Sequence, residues 1–199
     1  MATTNLDPSS TVSNNWGLHP AESAVSAHGV LSDSDASTSI QTAAQSKTAI
    51  VEVDNFSLPA GNVITSVRHY ISGYVQDTRG DDTDVQVKLQ NSSGTDLYSE
   101  NHNLQFNSYV AQDHYGTART TSDGSSSWTE SDINGLRLNI NTSPEDPPNS
   151  CSAAVVKAYI EVTYTEVTGY GNSVMGVASG NIGKINGIAT ANIGKVNGI

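Results

Sequence analysis

At 199 residues the chain has room for one domain of ordinary size plus an appendage. Its formal net charge of -11, from 20 acidic and 9 basic residues, repels nucleic acid and anionic membranes and argues against both as partners. Good helix formers are scarce while Ser, Thr, Asn and Gly abound, which favours short strands joined by polar turns.

The opening "MATTNLDPSS" has neither a basic nor an apolar segment of the secretory kind. No window reaches about 18 apolar residues, so membrane insertion is not expected. Synthesis in a cytoplasm follows, with any exit by a route such as lysis. The single cysteine, Cys151, excludes an internal disulfide framework, and its Ser-rich surroundings carry no sign of an activated thiol.

Residues 1–46 are polar and lack helical periodicity. Trp16 stands out as an aromatic anchor, and Ser37-Thr38-Ser39-Ile40-Gln41 has the pattern of an edge strand. This part reads as an extended N-terminal arm packed onto something larger, with a disordered terminus as the alternative.

Residues 47–168 read as the body. "TAIVEVDNFSL" alternates apolar and polar residues up to the turn signal Pro59-Ala60-Gly61-Asn62. "NVITSVRHYISGYVQD" places Val63, Thr65, Val67, His69, Ile71, Gly73 and Val75 on one face, and Ile64, Ser66, Arg68, Tyr70 and Tyr74 on the other. "TDVQVKLQ" has the cleanest period of two, with Val85, Val87 and Leu89 inward. Asn91-Ser92-Ser93-Gly94 then turns the chain into "TDLYSE". "LQFNSYVAQ", "LRLNIN" and "AAVVKAYIEVTY" continue the pattern, the last with Val155, Lys157, Tyr159 and Glu161 opposite Val156, Ala158, Ile160 and Val162. Short strands with regular turns predict an all-β fold, an antiparallel sandwich of jelly-roll type.

Residues 169–199 form a tail of different composition. It has no acidic residue and two lysines, Lys184 and Lys195, so it carries +2 while the rest of the chain carries -13. "GNIGKINGIATANIGKVNGI" repeats with a period of eleven, and Asn186-Gly187 and Asn197-Gly198 are strong turn dipeptides. Such a strip is too short and glycine-rich to build its own core. Ile182, Lys184, Ile185, Asn186, Gly187, Ile188, Ile193, Lys195, Val196, Asn197, Gly198 and Ile199 are therefore the candidate assembly residues, expected to dock on another chain.

Several segments resemble a known family. "STVSNNWGLHPAESAVSAHGVLSDSDASTSIQ", "VEVDNFSLPAGNVITSVRHYISG" and "GSSSWTESDINGLRLNI" are similar to a β-sandwich module of structural proteins of tailed bacteriophages. Matching positions are Trp16, Leu31, Asp33, Asp35, Leu58, Pro59, Gly61, Val67, Trp128, Thr129, Ile133, Asn134, Leu136 and the strand from Val155 to Val162. The family pattern implies a hairpin at "LPAG". The tail resembles C-terminal "I-x-K-[IV]-N-G" repeats of environmental, largely marine phages. "GLHPAESAVSAHG" departs from the pattern, because Pro20 and Glu22 interrupt a usually Gly-rich stretch. The resemblance implies a virion component made in the bacterial host cytoplasm. It would be an accessory surface subunit of head or tail, with other virion proteins and copies of itself as partners.

Chemistry is sparse. His19, His28, His69, His102 and His114 are scattered, and no pair has the local spacing of metal ligands. Asp77, Asp81, Asp82 and Asp84 in "DTRGDDTD" form the densest carboxylate group; they suit Ca²⁺ by ligand type but lack the EF-hand Gly and terminal Glu, and a solvated hairpin turn is the favoured reading. Within the same loop, Arg79-Gly80-Asp81 spells an adhesion tripeptide too short to carry weight. No nucleophile elbow, phosphate loop or zinc-protease motif appears, so an enzyme is not expected. Tyr98, Tyr109, Tyr115 and Trp128, together with Tyr70, could build an aromatic platform for sugar rings, which makes a host-glycan-binding adhesion module the alternative function. Core packing is the competing reading of these aromatics.

Overall fold

The alternation of apolar and polar residues is realised as two packed antiparallel sheets in a computed structural model. It describes residues 1–19, 26–33, 37–42, 47–76, 83–105, 110–142 and 152–165, and the backbone of 184–185 and 188–189. In chain order the elements are β1 (Ala2–Leu6), β2 (Pro8–Asn14), β3 (Gly17–His19), α1 (Ala27–Ser32), β4 (Ser39–Thr42), β5 (Thr48–Val53), β6 (Ile64–Gln76) and β7 (Thr83–Gln90). They continue with β8 (Asp96–Leu104), β9 (Gln112–Tyr115), α2 (Glu130–Ile133), β10 (Arg137–Thr142), β11 (Ser152–Tyr164), β12 (Lys184–Ile185) and β13 (Ile188–Ala189).

One sheet has the order β3-β4-β11-β6-β9, with β1 also on β11; the other runs β2-β5-β10-β7-β8. Strands β4 to β11 alone give β4-β11-β6-β9 facing β5-β10-β7-β8, the interleaved order of an eight-stranded jelly roll. Between the sheets, Leu31, Ile40, Ile71, Leu89, Leu104, Ile133, Leu136, Leu138, Ile140 and Ile160 are fully buried. As the sequence predicts, Val85, Val87 and Leu89 of β7 point into this core. No helix among the described residues is long and apolar enough to cross a membrane.

The described residues among the first 46 are not a separate arm but strands and a helix of the sandwich. Strand β1 pairs with β11 from Ala2↔Tyr164 to Leu6↔Ile160, and β2 pairs with β5. Strand β4 is an interior strand between β3 and β11, not an edge. A polar average concealed the few apolar residues each strand needs: Leu6, Trp16, Ala27, Val30, Leu31 and Ile40 all belong to the common core. Helix α1 starts where Ser26 accepts from the Gly29 N–H, and it lays Ala27, Val30 and Leu31 inward.

Two bulges change the facing read from strict alternation. In β11 the register shifts between Val155 and Lys157, so Val155 joins the core while Val156 packs outside with Tyr74. A second shift, between Thr163 and Tyr164, turns Ile64 inward and leaves Val63 exposed. "LQFNSYVAQ" is likewise not one strand, since Leu104 ends β8 in one sheet and Gln112 starts β9 in the other.

The family-like segments acquire physical meaning. "LPAG" is a crossover turn between sheets and not a hairpin, with Asn62 N–H donating to Pro59 O and Gly61 at a φ of 83°. In "WTESDINGL", Trp128 is buried and Thr129 caps α2 in a reciprocal box with Asp132. Glu130 and Asn134 then accept from the Leu58 and Phe56 N–H groups, and Gly135 takes a φ of 98° before Leu136 enters the core. This segment pins the crossover leading to β6.

In the tail, β12 pairs antiparallel with β13 on either side of Asn186-Gly187. The other assembly residues, Ile182, Asn186, Gly187, Ile193, Lys195, Val196, Asn197, Gly198 and Ile199, lie outside the described residues, as does Cys151.

Integration of the first segment has a direct test. Leu6→Ala removes a side chain that is 3% exposed, and about 2–4 kcal/mol of unfolding free energy should be lost. Urea denaturation followed by tryptophan fluorescence measures it. A loss under about 0.5 kcal/mol, as at an exposed site, would instead describe a loose arm.

Candidate functional site

The β6–β11 ladder sorts neighbouring residues of β6 to opposite sides of the sheet. Arg68, Tyr70 and Ser72 face outward beside Glu161, Tyr159 and Lys157, while Val67, His69 and Ile71 face the core. Strand β9 continues both rows, with Tyr115↔Tyr70 and Asp113↔Ser72 outside and His114↔Ile71 inside.

On the outer face Tyr70 and Tyr159 stack, with centroids 4.3 Å apart and planes at 18°. Tyr115 tilts against Tyr70 at 5.0 Å and is 47% exposed, whereas Tyr70 and Tyr159 are 7% and 8% exposed. The Arg68 guanidinium lies 4.4 Å from the centre of the Tyr115 ring and bonds Glu161 Oε1 at 2.6 Å. Asp113 Oδ1 accepts from the Tyr70 hydroxyl at 2.7 Å and from Ser72 Oγ at 2.9 Å. Burial and the bond to Asp113 push the Tyr70 phenol up to about 12, so it stays a donor at every physiological pH. The face thus combines one exposed, backed aromatic ring with a guanidinium and carboxylates in fixed positions.

The remaining aromatic candidates divide. Tyr98 packs beside Trp128 with Arg119 over its ring, and its hydroxyl bonds Thr121 O. The Trp128 indole donates to Arg119 O at 2.9 Å from a buried position. These two hold the 117–128 connection and are not part of the platform. Tyr109 lies outside the described residues. Tyr159 was missing from the sequence-derived set, although its outward position on β11, opposite Tyr70, was the available signal.

Of the Ca²⁺ candidates, Asp84 is on β7 and accepts from Asn103 Nδ2 at 3.0 Å; Asp77, Asp81 and Asp82 lie outside the described residues. A separate hollow of about 340 Å³ is lined by Asn91, Ser92, Asp123, Asp132 and Asn134, among others. Its polar groups are already engaged: Asp123 accepts from Ser125 and Ser126, Asp132 serves the α2 cap, and Asn134 holds Phe56.

Inside the sandwich three of the five histidines gather. His69 on β6 and His102 on β8 bring their Nε2 atoms to 2.6 Å, and the His114 ring lies 5.6 Å from that of His102. Ligand atoms of His69, Glu100 and His102 all fall within 4.8 Å of one another. Glu100 accepts from the Thr117 N–H at 2.8 Å and pairs with Arg119. Local sequence spacing does not show the group, because its members sit on three strands in two sheets.

Burial, reinforced by His102, holds the His69 imidazole at about 4, and burial also lowers His102 and His114. Glu100 opposes the shift of His69 and His102, Arg119 adds to that of His69, and Asp113 opposes that of His114. The unfolded chain takes up protons below about 6.5 that the native His69 refuses, so stability is full above that pH and falls toward pH 4. With chelator present, His69 should remove about 2 kcal/mol by pH 5. Urea midpoints recorded from pH 7 to 5 measure this, and His69→Gln should flatten the slope. An equal slope in wild type and variant would contradict it.

No protein-family model matches the chain, and no curated protein does. Among solved structures it is similar to the CBM36-1 domain of a multidomain xylanase from the hindgut metagenome of Trinervitermes trinervoides, at 7% identity and a TM-score of 0.46, over 83% of this chain and 100% of that one. It is also similar to TmCBM61 in complex with β-1,4-galactotriose, at 9% identity and a TM-score of 0.36, over 73% and 87%. The Agl-KA catalytic domain aligns at 10% identity and a TM-score of 0.42 with 88% of this chain, which spans 30% of that chain's length.

Proposed function

We propose that this chain is a non-catalytic glycan-binding module that takes its ligand on the outer face around Tyr115. The observation that carries the reading is a half-exposed tyrosine, tilted against the Tyr70–Tyr159 stack, with the Arg68 guanidinium over part of its ring and the Glu161 and Asp113 carboxylates nearby. A sugar ring offers an apolar C–H face to the aromatic plane and hydroxyls to charged neighbours, and this arrangement supplies both. The groups are held by bonds within the sheet, so little side-chain freedom remains to be lost on binding. The reading rests on these side chains and not on the distant sandwich structures.

Screening the full chain on a glycan array and against host polysaccharide, with calorimetry on any ligand found, tests the proposal. Tyr115→Ala should weaken binding about tenfold or more, as loss of a central aromatic anchor does, with an unchanged melting temperature. Tyr98→Phe should bind as wild type. Equal affinity in Tyr115→Ala would remove the platform from the outer face.

The setting we propose is the one implied by the sequence resemblance: an accessory surface subunit of a tailed phage particle, docked through its tail. A chain truncated after Thr168 should keep its fold and glycan affinity yet be lost from purified particles, as read by mass spectrometry. Normal incorporation of the truncated chain would dismiss the docking role.

A further inference from the structure

We infer that His69, His102 and Glu100 form a binding site for one zinc-type divalent ion, with the His114 ring beside them. The site lies on the core side of the sheet whose outer face carries the tyrosines, and its function is independent of glycan binding.

The donor set points to this ion. Two imidazole nitrogens and a carboxylate oxygen suit zinc, whereas Ca²⁺ and Mg²⁺ favour oxygen alone. Two nitrogens on one tetrahedral zinc, each about 2.0–2.1 Å from it, stand about 3.3 Å apart. The two Nε2 atoms are at 2.6 Å, so a separation of well under 1 Å converts the shared hydrogen bond into a pair of ligands. Glu100 is already oriented by the Thr117 N–H and by Arg119, as a ligating carboxylate is by its outer partners. The Arg119 charge is offset by Glu100 itself.

Two further observations concern ligands directly. His114 Nε2 is buried and has no hydrogen-bond partner, an unmet demand beside the pair that a bound ion or its water would satisfy. Gly116 is a cradle: a methyl group there would collide with the His69 imidazole, and its N–H donates to His69 O at 2.9 Å.

The position explains what the ion would do. Strands β8 and β9 end their respective sheets on the same side of the sandwich. His102 and Glu100 come from β8, and His69 and His114 from β6 and β9. An ion there clips the two sheets together at the edge where each has only one neighbouring strand.

The test uses the full chain after dialysis against chelator. Calorimetry should show one Zn²⁺ per chain and a rise of several degrees in melting temperature, and Co²⁺ should give the intense visible bands of a tetrahedral site. His69→Gln and His102→Gln should lower affinity at least 100-fold and abolish the bands, whereas His28→Asn should keep both. Should the core variants fail to fold, X-ray absorption on zinc-loaded wild type should report at least two imidazole ligands. Absence of heat and bands, or an oxygen-only shell, would leave a hydrogen-bonded histidine pair only and overturn the proposal. Glycan binding by Tyr115 should be unchanged in the histidine variants, so failure of either idea is read separately.

Discussion

The proposed glycan face and the proposed ion site both depend on the register of the ladder between β6 and β11. Twelve residue pairs, from Ser152↔Gln76 to Tyr164↔Ile64, set Arg68 and Tyr70 on one side and His69 on the other. A slip by a single residue would exchange the sides, placing histidine in solvent and charge in the core. Several features oppose that slip. The bulge at Val156 fits only one alignment, and a side chain on Gly73 would strike Ala154 O at 2.6 Å. Arg68 and Glu161 meet directly across the pair.

The ion pairs follow the same logic. Arg68–Glu161, Lys88–Asp96 and Arg137–Glu52 each join neighbouring strands within a sheet, and all are partly open to water. Exposed pairs of this kind contribute about 0–1 kcal/mol each, so their main effect is to penalise misaligned strands. Arg119–Glu100 differs because its arginine belongs to the 117–128 connection, which it ties to the edge strand β8. The buried apolar side chains supply the stability, and the charges select the register.

Legibility in the sequence varied with how much local pattern each element carries. Strand β7 repeats its apolar residues three times at period two and is read correctly. Strand β1 buries one leucine at its end and produces no signal above the polar background, whereas β4 is legible as a strand at residues 37–41 but its interior place in the sheet is not. Bulges defeat alternation by construction, which is why a strict period of two puts Val156 and Ile64 on the wrong sides. Of the tyrosine face, Tyr70 and Tyr115 were legible as aromatic candidates. Tyr98 and Trp128 were not separable from them until their polar atoms were seen to serve Thr121 and Arg119. The histidine group was invisible because 33 residues separate His69 from His102, and only the pairing of sheets brings them together.

The long β11 strand also determines how the molecule bears load. Its hydrogen bonds to β6 and β1 run across the strand axis. Tension drawn along β11 from the tail side therefore meets many of these bonds at once, in shear. The short β9, attached to β6 through four residue pairs at the sheet's edge, would instead peel open bond by bond. Load applied to β9 alone therefore meets fewer bonds at a time than load applied along β11, which makes β9 the strand that yields first.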